Sequence, residues 1–517
     1  MTSPSDTKQP EFTGMRAVLW PIHNYELKKF IPLALIMFCI LFNYTILRDT
    51  KDTLVVNAGG AAVIPFLKGI AVTAAAILFV VLYAKLSNIL SREKLFYAIV
   101  SPFIIFFAIF GFVIYPMADF LHPAKETVKA MHDAAPAFSG FIDIYAYWSY
   151  SIFYVFAEIW GSAILALAFW EFANHVVRFS ESKRFYGLFA VIANFALIIS
   201  GQVVVFCSES IKNYLPTGTD AWQVSMYLLM SVVAVMGFLC MYIYRWMYTN
   251  VLTDKRFFDP EEQAGGTKKK KQKPSLGESL KIIVKSPELA LIATLIMAYG
   301  VTINLVEVQW KEQLKFFYAG DKGGYNAFMG NFSSITGVFT ILFGLFIGSN
   351  IIRKFSWCTA ALITPIIILL GGGLFFIFTC SENLVAPMLV FLKSTPVAVA
   401  AFLGAGIVIV SKSVKYTLFD PTKEMAYIPL DPELKSKGKA AVDVIGGRAG
   451  KAGGGYVQMG LLMVFATKDV VAIAPYAFAT FAVVCVAWLY AVKALSRKVD
   501  TAVKMRAEER EASVAAA

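Results

Sequence analysis

Runs of about 20 apolar residues recur along the whole chain, each bounded by charge, and such runs leave a polypeptide few folds. A hydrocarbon layer about 30 Å thick is crossed by about 20 helical residues, and it holds no water to satisfy an unpaired backbone group. Runs of this kind stand at roughly residues 30–47, 61–84, 95–117, 144–170, 185–208, 221–244, 289–306, 325–352, 355–381, 383–410, 440–467 and 470–492. Barrel strands would alternate apolar and polar residues over about ten positions, and no alternation is visible. The chain therefore reads as an all-α membrane protein with twelve transmembrane helices. Its 58% hydrophobic and 16% charged residues exclude a cytosolic enzyme, and 15% aromatic content excludes disorder.

An even number of spans puts both termini on one side. Most of the 47 Lys and Arg fall in the tails, the even-numbered loops and their flanks, so that side is expected to be cytoplasmic. Residues 1–29 lack a short apolar segment with a small-residue cleavage site, and they contain Asp6, Glu11 and Glu26. They read as a cytoplasmic tail rather than a signal or transit peptide, which points to a bacterial inner membrane. The net charge of +12 follows from position relative to the bilayer, so lipid rather than nucleic acid is the expected surrounding, and a monomer is expected. Residues 249–285 are polar and carry the run Thr267–Pro274 (TKKKKQKP), best explained as a solvated linker. The expected organisation is a tail (1–29), a six-helix half (30–248), the linker (249–285), a second six-helix half (286–494) and a tail (495–517).

Loop features recur at one offset. Ser87–Lys94 (SNILSREK) follows the second span and Ser349–Lys354 (SNIIRK) the eighth, 262 residues later; Lys51, Asp52 and Gly59 recur as Lys311, Glu312 and Gly320. Two pseudo-symmetric halves in parallel orientation follow, the plan of a major-facilitator-like transporter, with substrate bound near the midplane between them.

Charge at a span centre costs about 2.5–3.5 kcal/mol on insertion scales, so each instance needs a reason. Lys68, Glu158, Lys393, Asp443, Arg448 and Lys451 fall inside the expected spans. Arg48, Asp49, Lys51 and Asp52 are expected at the outer end of the first span, and Glu307, Lys311 and Glu312 at that of the seventh. Arg448 and Lys451, three apart, share a helix face amid Gly446, Gly447, Gly450, Gly453, Gly454 and Gly455. They form a candidate cationic cradle for a polyanion; the plainer account is a glycine-packed helix whose Asp443 neutralises a basic neighbour. The stretch Gly446–Ala452 is one residue short of G-x-x-x-x-G-K-[ST] and ends in Ala452, which cannot hold Mg²⁺. With no nucleotide-hydrolysing domain elsewhere, transport must draw on gradients.

Tyr147, Tyr150 and Tyr154 lead along the fourth span to Glu158. They could stack on a flat base, or belong to an interfacial aromatic belt. Glu158 is too deep for the belt; it could bind a basic group, pair with a cation such as Lys51, or carry a coupling proton. Four histidines show neither metal spacing nor a catalytic grouping, so no cofactor, metal or enzymatic activity is expected.

Five segments carry a family resemblance: Leu47–Leu54 (LRDTKDTL), Glu158–Gly161 (EIWG), Arg184–Gly187 (RFYG), Glu307–Glu312 (EVQWKE), and Phe419–Pro429 (FDPTKEMAYIP) with the glycine-rich stretch Lys439–Gly455 after it. Together they resemble the nucleotide transporters, or ATP/ADP translocases, of obligate intracellular bacteria and plastids; the short amino-terminal tail is like that of the bacterial members. The resemblance implies exchange of external ATP for internal ADP, with phosphate a candidate companion of ADP. It also implies two essential lysines and two essential glutamates, which map onto Lys51, Glu158, Glu307 and Lys451, with Glu312 and Lys439 as competing placements for the last two. Proton-driven nucleoside triphosphate importers share much of this pattern and are the alternative. From the residues and the resemblance together, the expected substrate site comprises Lys51, Glu158, Glu307, Lys311, Lys393, Asp443, Arg448 and Lys451.

Overall fold

The computed structural model describes residues 16, 20–254, 256–258, 286–381, 386–387, 389–391, 393–427 and 439–515. All regular structure among them is helical. Six long helices precede the linker: α1 (Leu27–Gly59), α2 (Val63–Ile89), α3 (Arg92–Ile114), α4 (Trp148–Val176), α5 (Phe179–Ser208) and α6 (Ala221–Asn250). Six follow it: α7 (Pro287–Tyr318), α8 (Lys322–Lys354), α9 (Trp357–Cys380), α10 (Pro396–Ala426), α11 (Lys439–Val464) and α12 (Ala474–Ala515). The basic run Thr267–Pro274 lies outside the described residues.

Polar caps start these helices where the chain leaves the apolar layer. Asp220 accepts from the backbone N–H groups of Trp222 and Gln223 at the start of α6, and Ser286 from Leu289 at the start of α7, where Pro287 fills the first position. Thr395 likewise caps α10 ahead of Pro396.

Eleven of the described helices are long and apolar enough to cross a membrane, not the expected twelve. The exception is α11, which spans 26 residues but carries Lys439, Asp443, Arg448 and Lys451 and seven glycines. Its composition falls short of an apolar span. The helix packs against α7: a Cβ on Gly450 would stand 2.9 Å from Met297 Cα, and one on Gly454 would stand 2.8 Å from Asn304 Cβ. Glycine allows this close approach of the two helices.

The two halves repeat their packing. In the first, the Trp160 indole on α4 donates to Ile40 O on α1; in the second, the Trp310 indole on α7 donates to Ala401 O on α10. One end of the bundle carries the start of α1 and the continuation of α12 beyond residue 495, and is called here the tail end. The other carries short helices at Ala118–Leu121, Lys125–Ala134 and Ser139–Ala146, and is called the cap end. Within the cap, His132 Nε2 lies 3.0 Å from Asp143 Oδ1, and burial raises the Asp143 carboxyl against the opposing pull of His132.

Near the tail end Lys29 is 1% exposed; its ammonium donates to Glu181 at 2.7 Å and to Phe257 O at 2.9 Å. Lys29→Met strands a buried carboxylate, a loss of about 3–5 kcal/mol. The expected result is a clear fall in the thermal midpoint of the detergent-solubilised protein, read by tryptophan fluorescence, while the double change Lys29→Met/Glu181→Met recovers most of it.

Candidate functional site

The first helix of each half runs well past its expected end. Because α1 continues to Gly59, residues 48–52 occupy its interior rather than an outer mouth, and Lys51 and Asp52 are each 2% exposed. The same holds for α7, which carries Glu307, Lys311 and Glu312 within its length. These polar turns are expensive to bury unless partnered, and their partners come largely from other helices.

Lys51 Nζ lies 2.8 Å from Asp52 Oδ1 and 3.0 Å from Glu158 Oε1 on α4, and 3.9 Å from the centre of the Tyr154 ring. The second oxygen of Asp52 accepts from Lys311 on α7 at 2.8 Å, so this carboxylate bridges the halves. Glu307 on α7 pairs with Lys412 on α10 at 3.0 Å. Each half thus holds an ion pair between its first and fourth helices, with the signs reversed: cation on α1 and anion on α4, anion on α7 and cation on α10. Arg48 donates to Ser333 on α8 at 2.7 Å, and Ser333 donates to Asp49 at 2.6 Å. Lys68 on α2 donates to Asn304 Oδ1 on α7 at 3.2 Å.

Although mid-bundle, the cluster is reached by water. The side chains of Glu158 and Lys412 are 26% and 23% exposed, whereas that of Lys51 is 2%. Between described residues, the hydrogen bonds and ion pairs that join the halves all lie from this level to the cap end. They include Thr53 to Asn326 at 2.8 Å, the Ala61 N–H to Glu312 at 2.6 Å, Lys212 to Asp321 at 3.3 Å, and Tyr456 to Gly69 O at 2.8 Å. At the tail end the ion pairs stay within a half, as in Arg184–Glu26 and Lys498–Glu288. The bundle is closed at the cap and joined by no described bond at the tail.

Of the residues expected in the site, Lys51, Glu158, Glu307 and Lys311 meet in this cluster. Asp443, Arg448 and Lys451 stand on α11, with side chains outside the described set; Arg448 and Lys451 precede, by seven and four residues, Gly455, whose added Cβ would meet Pro65 of α2 at 3.5 Å. Lys393 does not join this cluster in the structure: it is an exposed residue of a turn at φ 48°, because Thr395 and Pro396 start α10 later than the expected span. Tyr147 and Tyr150 also fall away from the cluster. They stack on each other at 6.3 Å near the cap, Tyr150 edge-on to His122, while Tyr154 alone reaches Lys51.

Sequence reasoning missed Lys412, because the apolar run ends at Val410 although the helix continues to Ala426. The polar stretch Ser411–Lys412–Ser413 would have shown it if read as helix rather than as a boundary. It also left Asp52, Lys68 and Asn304 outside the expected site.

Two six-helix halves around a charged, water-reached midplane define a membrane transporter of major-facilitator-like architecture. Solved structures share that fold: a D-xylose-proton symporter has a TM-score of 0.55 at 12% identity, covering 90% of this chain and 97% of that one, and a bacterial homologue of the iron transporter ferroportin has 0.54 at 14%, covering 90% and 100%. The chain belongs to the TLC ATP/ADP transporter family, whose profile matches residues 5–499. It is 46% identical over 493 residues to ADP,ATP carrier protein 1 of Chlamydia pneumoniae, covering 95% of each chain. It is 42% identical to the protein of that name from Rickettsia bellii (96% of this chain, 98% of that one), and 45% identical to the chloroplastic ADP,ATP carrier protein 1 of Arabidopsis thaliana (93% and 75%).

Proposed function

We propose that this protein exchanges external ATP for internal ADP by alternating access, without chemical conversion of either, in a bacterial inner membrane with both termini cytoplasmic. The observation that carries the reading is the pair of sign-reversed ion pairs, Lys51–Glu158 and Lys412–Glu307, at a wet midplane between the halves. A polyphosphate carries about three to four negative charges and competes with Glu158 and Glu307 for their lysines. The carboxylates hold the ammonium groups in place while the site is empty and give way when phosphate arrives. Lys311 extends the cationic surface, and Tyr154 positions Lys51. The names of the relatives support ATP and ADP as substrates; phosphate as a companion of ADP and a monomer as the working unit complete the proposal. Lys and Arg at the tail end, among them Lys28, Arg92, Arg184, Arg353 and Lys498, support a cytoplasmic tail side. On that orientation the end at which described bonds join the halves faces outward.

The test is uptake of labelled ATP by proteoliposomes loaded with ADP, with phosphate or with buffer, each with and without an imposed proton gradient. Exchange requires strong uptake with ADP inside, indifferent to the gradient. Gradient-driven uptake into buffer-filled vesicles would replace it with proton symport and make Glu158 the candidate proton carrier.

A further inference from the structure

The described side chains of the midplane cluster hold one cation too many. Arg48, Lys51, Lys311 and Lys412 each have a carboxylate oxygen at 2.8–3.1 Å. Lys68 pairs with no carboxylate among the described residues. It lies within electrostatic reach of Glu158 and Glu307, yet its hydrogen-bond partner is a neutral amide, Asn304 Oδ1. The amide is aimed by its own contacts: its Nδ2 donates to Gly300 O at 2.9 Å, and Gly454 of α11 presses on its Cβ. Lys68 itself stands on a π-helical turn, Leu67–Val72, a local widening that re-aims side chains and is frequent at functional sites.

We propose that Lys68 enforces exchange: its uncompensated charge lets the bundle occlude only when a bound polyphosphate supplies the missing negative charge. The proposal rests on the exchange reading above and assigns its coupling to one residue. To switch sides, the tail end must close over the cluster and the cap-end contacts, Lys68–Asn304 among them, must part. The other four cations carry their counter-ions through that passage. Lys68 would lose both water and its amide, and an ammonium without water or counter-charge resists burial. Phosphate oxygens replace the amide when nucleotide is bound, so loaded carrier crosses and empty carrier does not.

The experiment compares wild type, Lys68→Gln, Lys68→Arg and Asn304→Asp in proteoliposomes, measuring labelled ATP uptake with internal ADP and with buffer alone. In wild type and Lys68→Arg, uptake should depend on internal ADP. In Lys68→Gln, and in Asn304→Asp, which keeps Lys68 but gives it a carboxylate, buffer-filled uptake should rise relative to exchange by about tenfold or more, tenfold being about 1.4 kcal/mol of barrier. If Lys68→Gln fails to reach the membrane, Asn304→Asp decides alone. An unchanged ratio, or loss of both modes together, overturns the proposal and leaves Lys68 a binding residue only. Wild-type uptake indifferent to internal ADP overturns the exchange reading instead.

Discussion

Lys51→Met should lower ATP uptake by at least about a hundredfold while the protein still inserts and folds. The ammonium removed is the shared partner of Asp52 and Glu158 and lies on the Tyr154 ring. Deleting one member of a buried pair costs about 3–5 kcal/mol, equivalent to roughly a hundred- to several thousandfold in an equilibrium. Where that cost lands follows from the geometry. Asp52 retains Lys311, and Glu158 is 26% exposed and can turn to water, so the fold keeps most of its stability. The bound state has no such escape, because a nucleotide would meet Glu158 without its cation. The thermal midpoint should therefore shift little while uptake collapses. Adding Glu158→Gln removes the repulsion without restoring the cation, so it should recover some binding and little transport. Normal uptake by Lys51→Met would remove this residue from the site.

Gly201→Val should have the second large effect, through the shape of the cap-end closure. A Cβ on Gly201 of α5 would stand 2.3 Å from Gly330 O on α8, and one on Gly330 would stand 2.5 Å from Gly201 O. Both obstacles are backbone, which cannot swing aside, so α5 and α8 must separate and the cap end cannot seal. Overpacking of this kind costs about 1–3 kcal/mol, enough to shift an open–closed equilibrium by about ten- to a hundredfold. Exchange should fall by at least about tenfold. Cysteines replacing Lys212 and Asp321, the neighbouring cross-half ion pair, should cross-link readily in the parent and poorly in Gly201→Val. Equal cross-linking in both would show that the closure tolerates the added volume.

The helical spans were legible from sequence because crossing a bilayer is priced locally: each run of about 20 residues is judged on its own hydrophobicity. The same local rule misled at three places. It ended the first span before Arg48, whereas α1 continues through four charged residues that find partners on α4, α7 and α8. It stopped the tenth before Lys412, and it counted α11 among the apolar spans, although that helix falls short in composition and packs on α7 through its glycines. Lys393 shows the converse error, an apolar neighbourhood taken for a helix where a capped turn begins.

By itself the sequence determined which residues are charged at depth, that two halves repeat, and which family the motifs belong to. Only the tertiary structure decided which charges answer one another. Glu158 pairs with Lys51, Glu307 with Lys412, and Lys68 meets Asn304 from 236 residues away. Hydropathy is a sum along the chain and survives any rearrangement of the helices. An ion pair depends on a separation of about 3 Å between residues a hundred or more positions apart, and that is set by how α1, α2, α4, α7 and α10 pack.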